Sequence, residues 1–238
     1  MTNYDKILKI CEKGFNNVEK LKTDNKFEEI NKCIVFYEDL NSWLHLCGGF
    51  EDNPLVKEAK DECLRSIILC SQGYYKDAII VLRQFLEHIL FAILLSSNDY
   101  QYRLWKAGKS DMSWVAVVDG QKGVFGKDFI RVYGKGISEE RSAELITVAK
   151  NAYRECSEFV HGNYVKLISL SNGLEYDANM VDKYLEFFLN IQYLVCMGLF
   201  IRYKEIFDEI EVLKQLEPML MDYLGELSEV QFMYSKEV

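Results

Sequence analysis

Two side chains in the second half of the chain, a guanidinium and an imidazole, are of types that can take part in chemistry and are spaced to share one face of a helix. Arg154 and His161 are seven residues apart. Seven residues make almost two turns of an α-helix, so both side chains would project from one face, about 10 Å apart along the axis. A guanidinium carries a permanent positive charge, and an imidazole can exchange protons near neutral pH. A cation and an imidazole would therefore share an exposed or interfacial surface near the end of a helix.

The residues around this pair predict that it lies on a helix. Ser138 followed by Glu139 and Glu140 is a typical helix start, with a capping hydroxyl and acids at the positive end of the helix dipole. The helix is predicted to run to about His161. One stripe of this helix is predicted to face the core, with Arg154 pointing away from it: Leu145, Ala149, Ala152, Cys156 and Phe159.

Segment 153–163 resembles the signature of the HEPN family, an Arg and a His separated by a few residues near the C-terminal end of a helix in a small bundle. Here six residues separate Arg154 from His161. Arg83 and Glu87, one turn apart on an otherwise apolar helix, are similar to an earlier element of that family. The resemblance covers roughly residues 74–203. Catalytic members often have Asn, Asp or His directly after the Arg, whereas this chain has Glu155.

This resemblance implies a metal-independent endoribonuclease of the toxin or antiviral-defence type, with no cofactor. Two protomers of a homodimer would bring their Arg/His faces together in a composite cleft. There His161 would assist attack of the RNA 2′-hydroxyl on the neighbouring phosphate, and Arg154 would hold that phosphate. The partners implied are RNA and a cognate antitoxin or defence-system protein. Four further residues are expected to support the site or contact RNA: Tyr153, Ser157, Glu158 and Asn163.

Other interpretations remain open at this point. Arg154 would also suit an ion pair with Glu158, and His161 would suit the negative end of the helix. Arg83 and Glu87 are expected to be a structural polar pair held by other helices. Glu155 and the overall acidity favour a non-catalytic HEPN-like module that binds a protein partner or a nucleotide. A third possibility is a helical adaptor whose N-terminal helices bind the partner.

The charge of the chain is unevenly distributed. The formal net charge is −9, yet residues 103–136 hold seven basic and three acidic residues, a net charge of +4. This segment is either the surface that carries the RNA backbone or a solvated basic loop. The last 36 residues hold three basic and nine acidic residues, a net charge of −6. The candidate RNA backbone patch comprises Arg103, Lys106, Lys109, Lys122, Lys127, Arg131 and Lys135.

Periodicity and composition predict an all-α fold. The chain has only 2 Pro, and apolar residues recur at helical spacing along most of it. We expect an N-terminal helical extension (1–73), a HEPN-like helical bundle (74–210) and an acidic C-terminal helical tail (211–238). Within the bundle, 74–97 should be a central helix, 98–137 loops and short helices, and about 180–210 one long helix. Short helices are expected after Pro218.

The chain is predicted to be cytoplasmic, with no membrane partner. Its seven cysteines form no metal-binding pattern, so no metal site is expected, and the start of the sequence lacks the features of a secretory signal. Segments 78–95 and 185–201 are strongly apolar but contain Arg83, Glu87, His88 and Glu186. Because ionisable groups are costly inside a bilayer, buried bundle helices are the better interpretation.

Overall fold

In the part of the chain that the structure describes, the protein is built from α-helices. The computed structural model describes residues 2–134, 136–161 and 174–235, so the predicted site residues Lys135 and Asn163 lie outside the described ranges. Within those ranges there is no strand, which confirms the predicted all-α class. The α-helices are α1 (Asn3–Thr23), α2 (Phe27–Leu46), α3 (Pro54–Ser71), α4 (Tyr75–Leu95), α5 (Asp99–Lys106), α6 (Trp114–Val117), α7 (Lys127–Tyr133), α8 (Glu139–Val160), α9 (Ala178–Arg202), α10 (Ile210–Leu224) and α11 (Ser228–Ser235). Two short 3-10 helices, Phe50–Asp52 and Lys204–Asp208, complete the described elements.

Helix α4 is the centre of the bundle, as its sequence predicts. Buried side chains lie on nearly all of its sides, so other helices must surround it. Helices α3, α8 and α9 pack against it. This arrangement places one end of the α4–α8 contact beside the candidate Arg/His face.

Helices α4 and α9 are long and apolar enough to cross a membrane by length and composition alone. In the most apolar window of each helix, 61% and 72% of the residues are buried inside the bundle. A core helix of a soluble protein has the same length and composition, so this property is weak support for a membrane span. The observed burial fits the interpretation of both helices as parts of the core.

A single hydrophobic cluster joins the three segments that the sequence predicts. It extends from Leu21 of α1 through Phe85 of α4 and Phe188 of α9 to Val230 of α11. The most extensive helix pair, α3 with α4, crosses the predicted boundary at residue 73. The boundaries at 73 and 210 stay predictions, but the packing of the core continues across both of them.

Helix α9 ends earlier than the sequence suggests. The prediction of a helix to about Ile210 was wrong, because α9 stops at Arg202 and a 3-10 turn follows. That turn brings the ring of Phe207 against Trp43 and Phe200, so burial of an aromatic ring accounts for the change of direction.

Pro218 lies inside a helix and does not precede the first helix of the tail. Helix α10 begins at Ile210 and continues through Pro218 to Leu224, whereas the short helix α11 does follow Pro218 as expected. Proline removes one backbone hydrogen bond from a helix. One face of α10 buries four leucines, and this burial offsets the loss: Leu213, Leu216, Leu220 and Leu224.

The seven cysteines all lie within the described ranges and all are free thiols. Cys11 on α1 is exposed, and the other six are buried. Burial raises the pKa of both Cys33 and Cys47 to about 12. The six buried cysteines are core residues, as expected for small apolar side chains, and Cys11 is the exception to that expectation.

Candidate functional site

Helix α8 carries the predicted Arg/His face and is well defined at both ends. The Ser138 hydroxyl accepts a hydrogen bond from the backbone N–H of Arg141, which caps the first turn. At the other end the backbone N–H of His161 donates to the carbonyl of Ser157. The predicted core stripe of α8 is buried, as expected: Leu145, Ala149, Ala152, Cys156 and Phe159.

Arg154 on α8 and His161, the residue directly after its last turn, are both exposed and lie away from that stripe. At this spacing they share one face of the helix, about 10 Å apart along its axis. Within the described ranges Arg154 makes no hydrogen bond or ion pair, so the ion pair with Glu158 that its spacing allows does not form there. Glu155 and Glu158 are both half-buried beside it. The face therefore presents a guanidinium to solvent with an imidazole two turns away.

Arg83 of α4 holds this part of α8 in place through polar contacts. Its Nη1 donates to the Ser157 hydroxyl at 3.2 Å, and its Nη2 lies 3.1 Å from a carboxylate oxygen of Glu87. The Ser157 hydroxyl in turn donates to the backbone carbonyl of Tyr153 at 2.7 Å. Ser157 thus both accepts and donates within the protein, which suits a supporting residue better than one that reacts with a ligand.

Tyr153 links this polar group to an aromatic stack. The guanidinium carbon of Arg83 lies 5.0 Å from the centroid of the Tyr153 ring. The same ring stacks on Trp114 of α6, with centroids 4.5 Å apart and planes 13° apart. Burial, and next the nearby charge of Glu87, raises the pKa of the Tyr153 hydroxyl. Trp114 is not among the residues predicted for the site, because no pattern in the sequence indicates that α6 folds back onto α8.

Several basic side chains of the predicted RNA backbone patch are paired with carboxylates. Lys106, Lys109 and Lys122 are exposed, and the Lys106 ammonium lies 5.5 Å from the centroid of the Tyr102 ring. Three other members are paired with carboxylates: Arg103 with Asp99, Lys127 with Glu139 and Arg131 with Asp128. The surface therefore offers less uncompensated positive charge than the count of residues implies.

Glu62 of α3 and His88 of α4 form a second polar pair, which the sequence alone did not predict. Glu62 and His88 approach to 2.6 Å, with 2% and 18% of their side chains exposed. Burial acts to lower the pKa of His88, but the hydrogen bond and the charge of Glu62 outweigh it, so this pKa is raised. Burial also raises the pKa of Glu62 in spite of the hydrogen bond to His88. The signal available in the sequence was a histidine on the apolar helix α4, but its partner lies 26 residues away.

Metal-binding groups do not cluster at the site in the part of the chain that the structure describes, and the cavity beside α6 lies away from it. No cluster of three or more His, Cys, Asp or Glu side chains suited to a metal ion occurs there. A cavity of about 650 Å³ lies beside α6. It is bordered by α4, α5 and the residues before and after α6, and neither Arg154 nor His161 lines it. The Arg/His pair therefore lies on an open face and outside this cavity.

Comparisons of this chain with protein-family models, with curated proteins and with solved structures found no match. The fold class consequently rests on the structure itself, and the function has to be argued from the residues.

Proposed function

We propose that this protein is a metal-independent endoribonuclease of the HEPN type that acts as a homodimer, with Arg154 and His161 as its catalytic residues. The observation that carries the proposal is the shared exposure of these two side chains on one face of α8, with Arg154 lacking an acidic partner in the described ranges. A guanidinium without a carboxylate partner keeps its donors available for a phosphate.

The proposed reaction cleaves RNA by internal attack. The 2′-oxygen bonds to the adjacent phosphorus while the bond from that phosphorus to the 5′-oxygen of the next nucleotide breaks. The 2′-hydroxyl gives up its proton and the leaving 5′-oxygen gains one, so the products are a 2′,3′-cyclic phosphate and a 5′-hydroxyl. An imidazole suits this proton transfer. The Arg154 guanidinium would stabilise negative charge that builds up on the phosphate oxygens.

The dimer is part of the proposal because one protomer offers a face and not a cleft. Two such faces would supply two imidazoles, so that one removes a proton while the other donates one. Tyr153 and Ser157, held by Arg83, would keep the surface of α8 rigid under the substrate. Glu158, Asn163 and the exposed lysines of the backbone patch are proposed to support the site or to contact RNA. We further propose a cytoplasmic protein controlled by an antitoxin or a defence-system partner.

The test is cleavage of single-stranded RNA by purified protein in the presence of EDTA. We expect products with cyclic phosphate and 5′-hydroxyl ends, and no cleavage of a fully 2′-deoxy oligonucleotide. His161→Ala should reduce the rate by about 10²–10⁴-fold, the usual contribution of a general acid or base. Arg154→Ala should reduce it by about 10²–10³-fold.

Matched controls are available elsewhere on the chain. His45 is exposed and pairs with Glu51, and Arg65 is half-exposed and pairs with Glu58. His45→Ala and Arg65→Ala should therefore leave cleavage unchanged. Equal activity in His161→Ala and His45→Ala would rule out the proposed chemistry.

The second candidate function is a non-catalytic module of the same fold that binds a protein partner or a nucleotide. Glu155, directly after Arg154, and the net charge of −9 favour it, because both oppose binding of a polyanion. A folded protein that cleaves no RNA, but loses a bound partner or nucleotide on Arg154→Ala substitution, would decide for this function.

A further inference from the structure

The first helix exposes an unusual amount of apolar surface. Only Gly14, Asn17 and Leu21 of α1 are buried, and α3 is its main neighbour. Five large apolar side chains in the first four turns are 45–72% exposed: Tyr4, Ile7, Leu8, Ile10 and Phe15. Monomeric soluble proteins rarely expose continuous apolar patches larger than a few hundred Å², and larger patches mark interaction sites.

Four exposed residues and the half-buried Val18 follow the spacing of a helix-pairing seam. Tyr4, Leu8, Cys11, Phe15 and Val18 are separated by four, three, four and three residues. An average spacing of 3.5 residues keeps a stripe facing a second helix over several turns. We call these five residues and the adjacent Ile7 the α1 stripe. The residues that pack α1 onto its own bundle lie to one side of it.

We propose that the α1 stripe pairs with the α1 stripe of a second copy of this chain. The exposed parts of its large side chains amount to roughly 500 Å² per copy, given 150–250 Å² for a whole aromatic side chain. Two copies would bury about 1,000 Å² in total, the lower limit for a specific interface. The stripe is also self-complementary, because Cys11 is at its midpoint and meets its own copy whether the helices run parallel or antiparallel.

Charge favours the parallel arrangement. Asp5, Glu12 and Glu19 form an acidic row along the outer edge of the α1 stripe, at seven-residue intervals. In an antiparallel pair with two-fold symmetry the two acidic rows would face each other, whereas in a parallel pair each row faces the opposite edge of the partner. This contact is separate from the Arg154–His161 face, and the inference does not rest on the proposed nuclease.

The first experiment measures self-association of the full chain by sedimentation equilibrium. Ile7→Lys/Phe15→Lys should raise the dimer dissociation constant by at least about tenfold, since apolar anchors carry most of the energy of an interface. Both residues are exposed, so the folded monomer should keep its circular dichroism spectrum and its melting temperature. Leu189→Lys on α9 is the matched control, because this leucine is 61% exposed and lies outside the stripe.

The second experiment uses Cys11, the one exposed cysteine of the chain. Oxidation in air with copper phenanthroline should link two chains through Cys11, and Cys11→Ser or Phe15→Lys should prevent or slow this. The variant Tyr4→Cys/Cys11→Ser distinguishes the two directions. It should crosslink in a parallel pair and fail to crosslink in an antiparallel pair, in which Tyr4 lies opposite the partner's Val18.

Three results would overturn the inference. They are a wild-type chain that stays monomeric at high concentration, a dimer unaffected by Ile7→Lys/Phe15→Lys, and a monomer whose α1 stripe binds anionic lipid vesicles instead. If the dimer survives these substitutions but is lost when the α8 face is changed, the α1 interface is ruled out and the proposed nuclease is not.

Discussion

The buried pair of Glu62 and His88 allows a quantitative test of the packing between α3 and α4. The two side chains approach to 2.6 Å in a region where Glu62 is only 2% exposed. Removing one partner of a buried ion pair leaves the other without compensation, which costs about 3–5 kcal/mol. Since proteins are typically stable by about 5–15 kcal/mol, His88→Ala should remove a large share of the free energy of unfolding. Replacing both residues by leucine should cost far less.

The sign of the pH dependence follows from the two pKa shifts. The pKa of His88 is raised above 6.5 by Glu62, with smaller contributions from Glu87 and Glu58 and against the effect of burial. The stabilisation is therefore complete below pH 6.5 and is lost as the pH rises through the raised pKa of the folded state. Burial raises the pKa of Glu62 above 4.5, although His88 and Arg65 act to lower it. This shift also makes the folded state less stable as the pH rises.

Urea denaturation followed by circular dichroism measures this effect. The difference in the free energy of unfolding between the wild type and Glu62→Gln should be larger at about pH 6 than at about pH 9. A difference that does not change between these pH values, or a loss below about 1 kcal/mol for His88→Ala, would show that the pair is not coupled as described.

Two further substitutions test the support of the candidate site and the turn before α4. Arg83→Ala should lower the free energy of unfolding, measured by urea denaturation, by about 2–4 kcal/mol, because Glu87 and Ser157 lose their charged partner. Arg83→Lys should recover only part of this loss. Wild-type stability in Arg83→Ala would contradict the anchoring role. Gly73→Ala should lower the melting temperature by several degrees. The reason is that Gly73 has φ +89°, and a methyl group there would lie 2.5 Å from the Asn17 amide nitrogen. An unchanged melting temperature would contradict this reasoning.

The sequence predicted the helical architecture well where one helix face is apolar and its ends are marked. Helix α8 has Ser138 as its cap and a regular apolar stripe, and its limits agree with the prediction. The errors occurred where long-range packing outweighs local signals. Phe207 ends α9 early by packing against Trp43, which lies more than 150 residues earlier in the chain. Pro218 is a local signal for a helix boundary, but the burial of one apolar face carries α10 through it.

In the candidate site too, the features set by local spacing were predictable and those set by long-range packing were not. The positions of Arg154 and His161 on one exposed face follow from helical geometry, which depends only on spacing. The stacking of Trp114 on Tyr153 and the contact of Arg83 with Ser157 depend on how α4, α6 and α8 meet, and no local pattern records that. Whether two protomers combine their faces is a property of an assembly and stays a prediction.

The buried cysteines provide built-in reporters of local opening. A thiol reacts with alkylating reagents as its thiolate, and burial that raises the pKa of Cys33 and Cys47 to about 12 makes the thiolate scarce in the closed structure. Cys63 and Cys70 on α3 and Cys196 on α9 are buried too. Alkylation of each thiol, followed by mass spectrometry under native conditions, should therefore time the opening of its own helix. In a monomeric chain the exposed Cys11 should react first and calibrate the reagent, so the wild-type chain needs no added label.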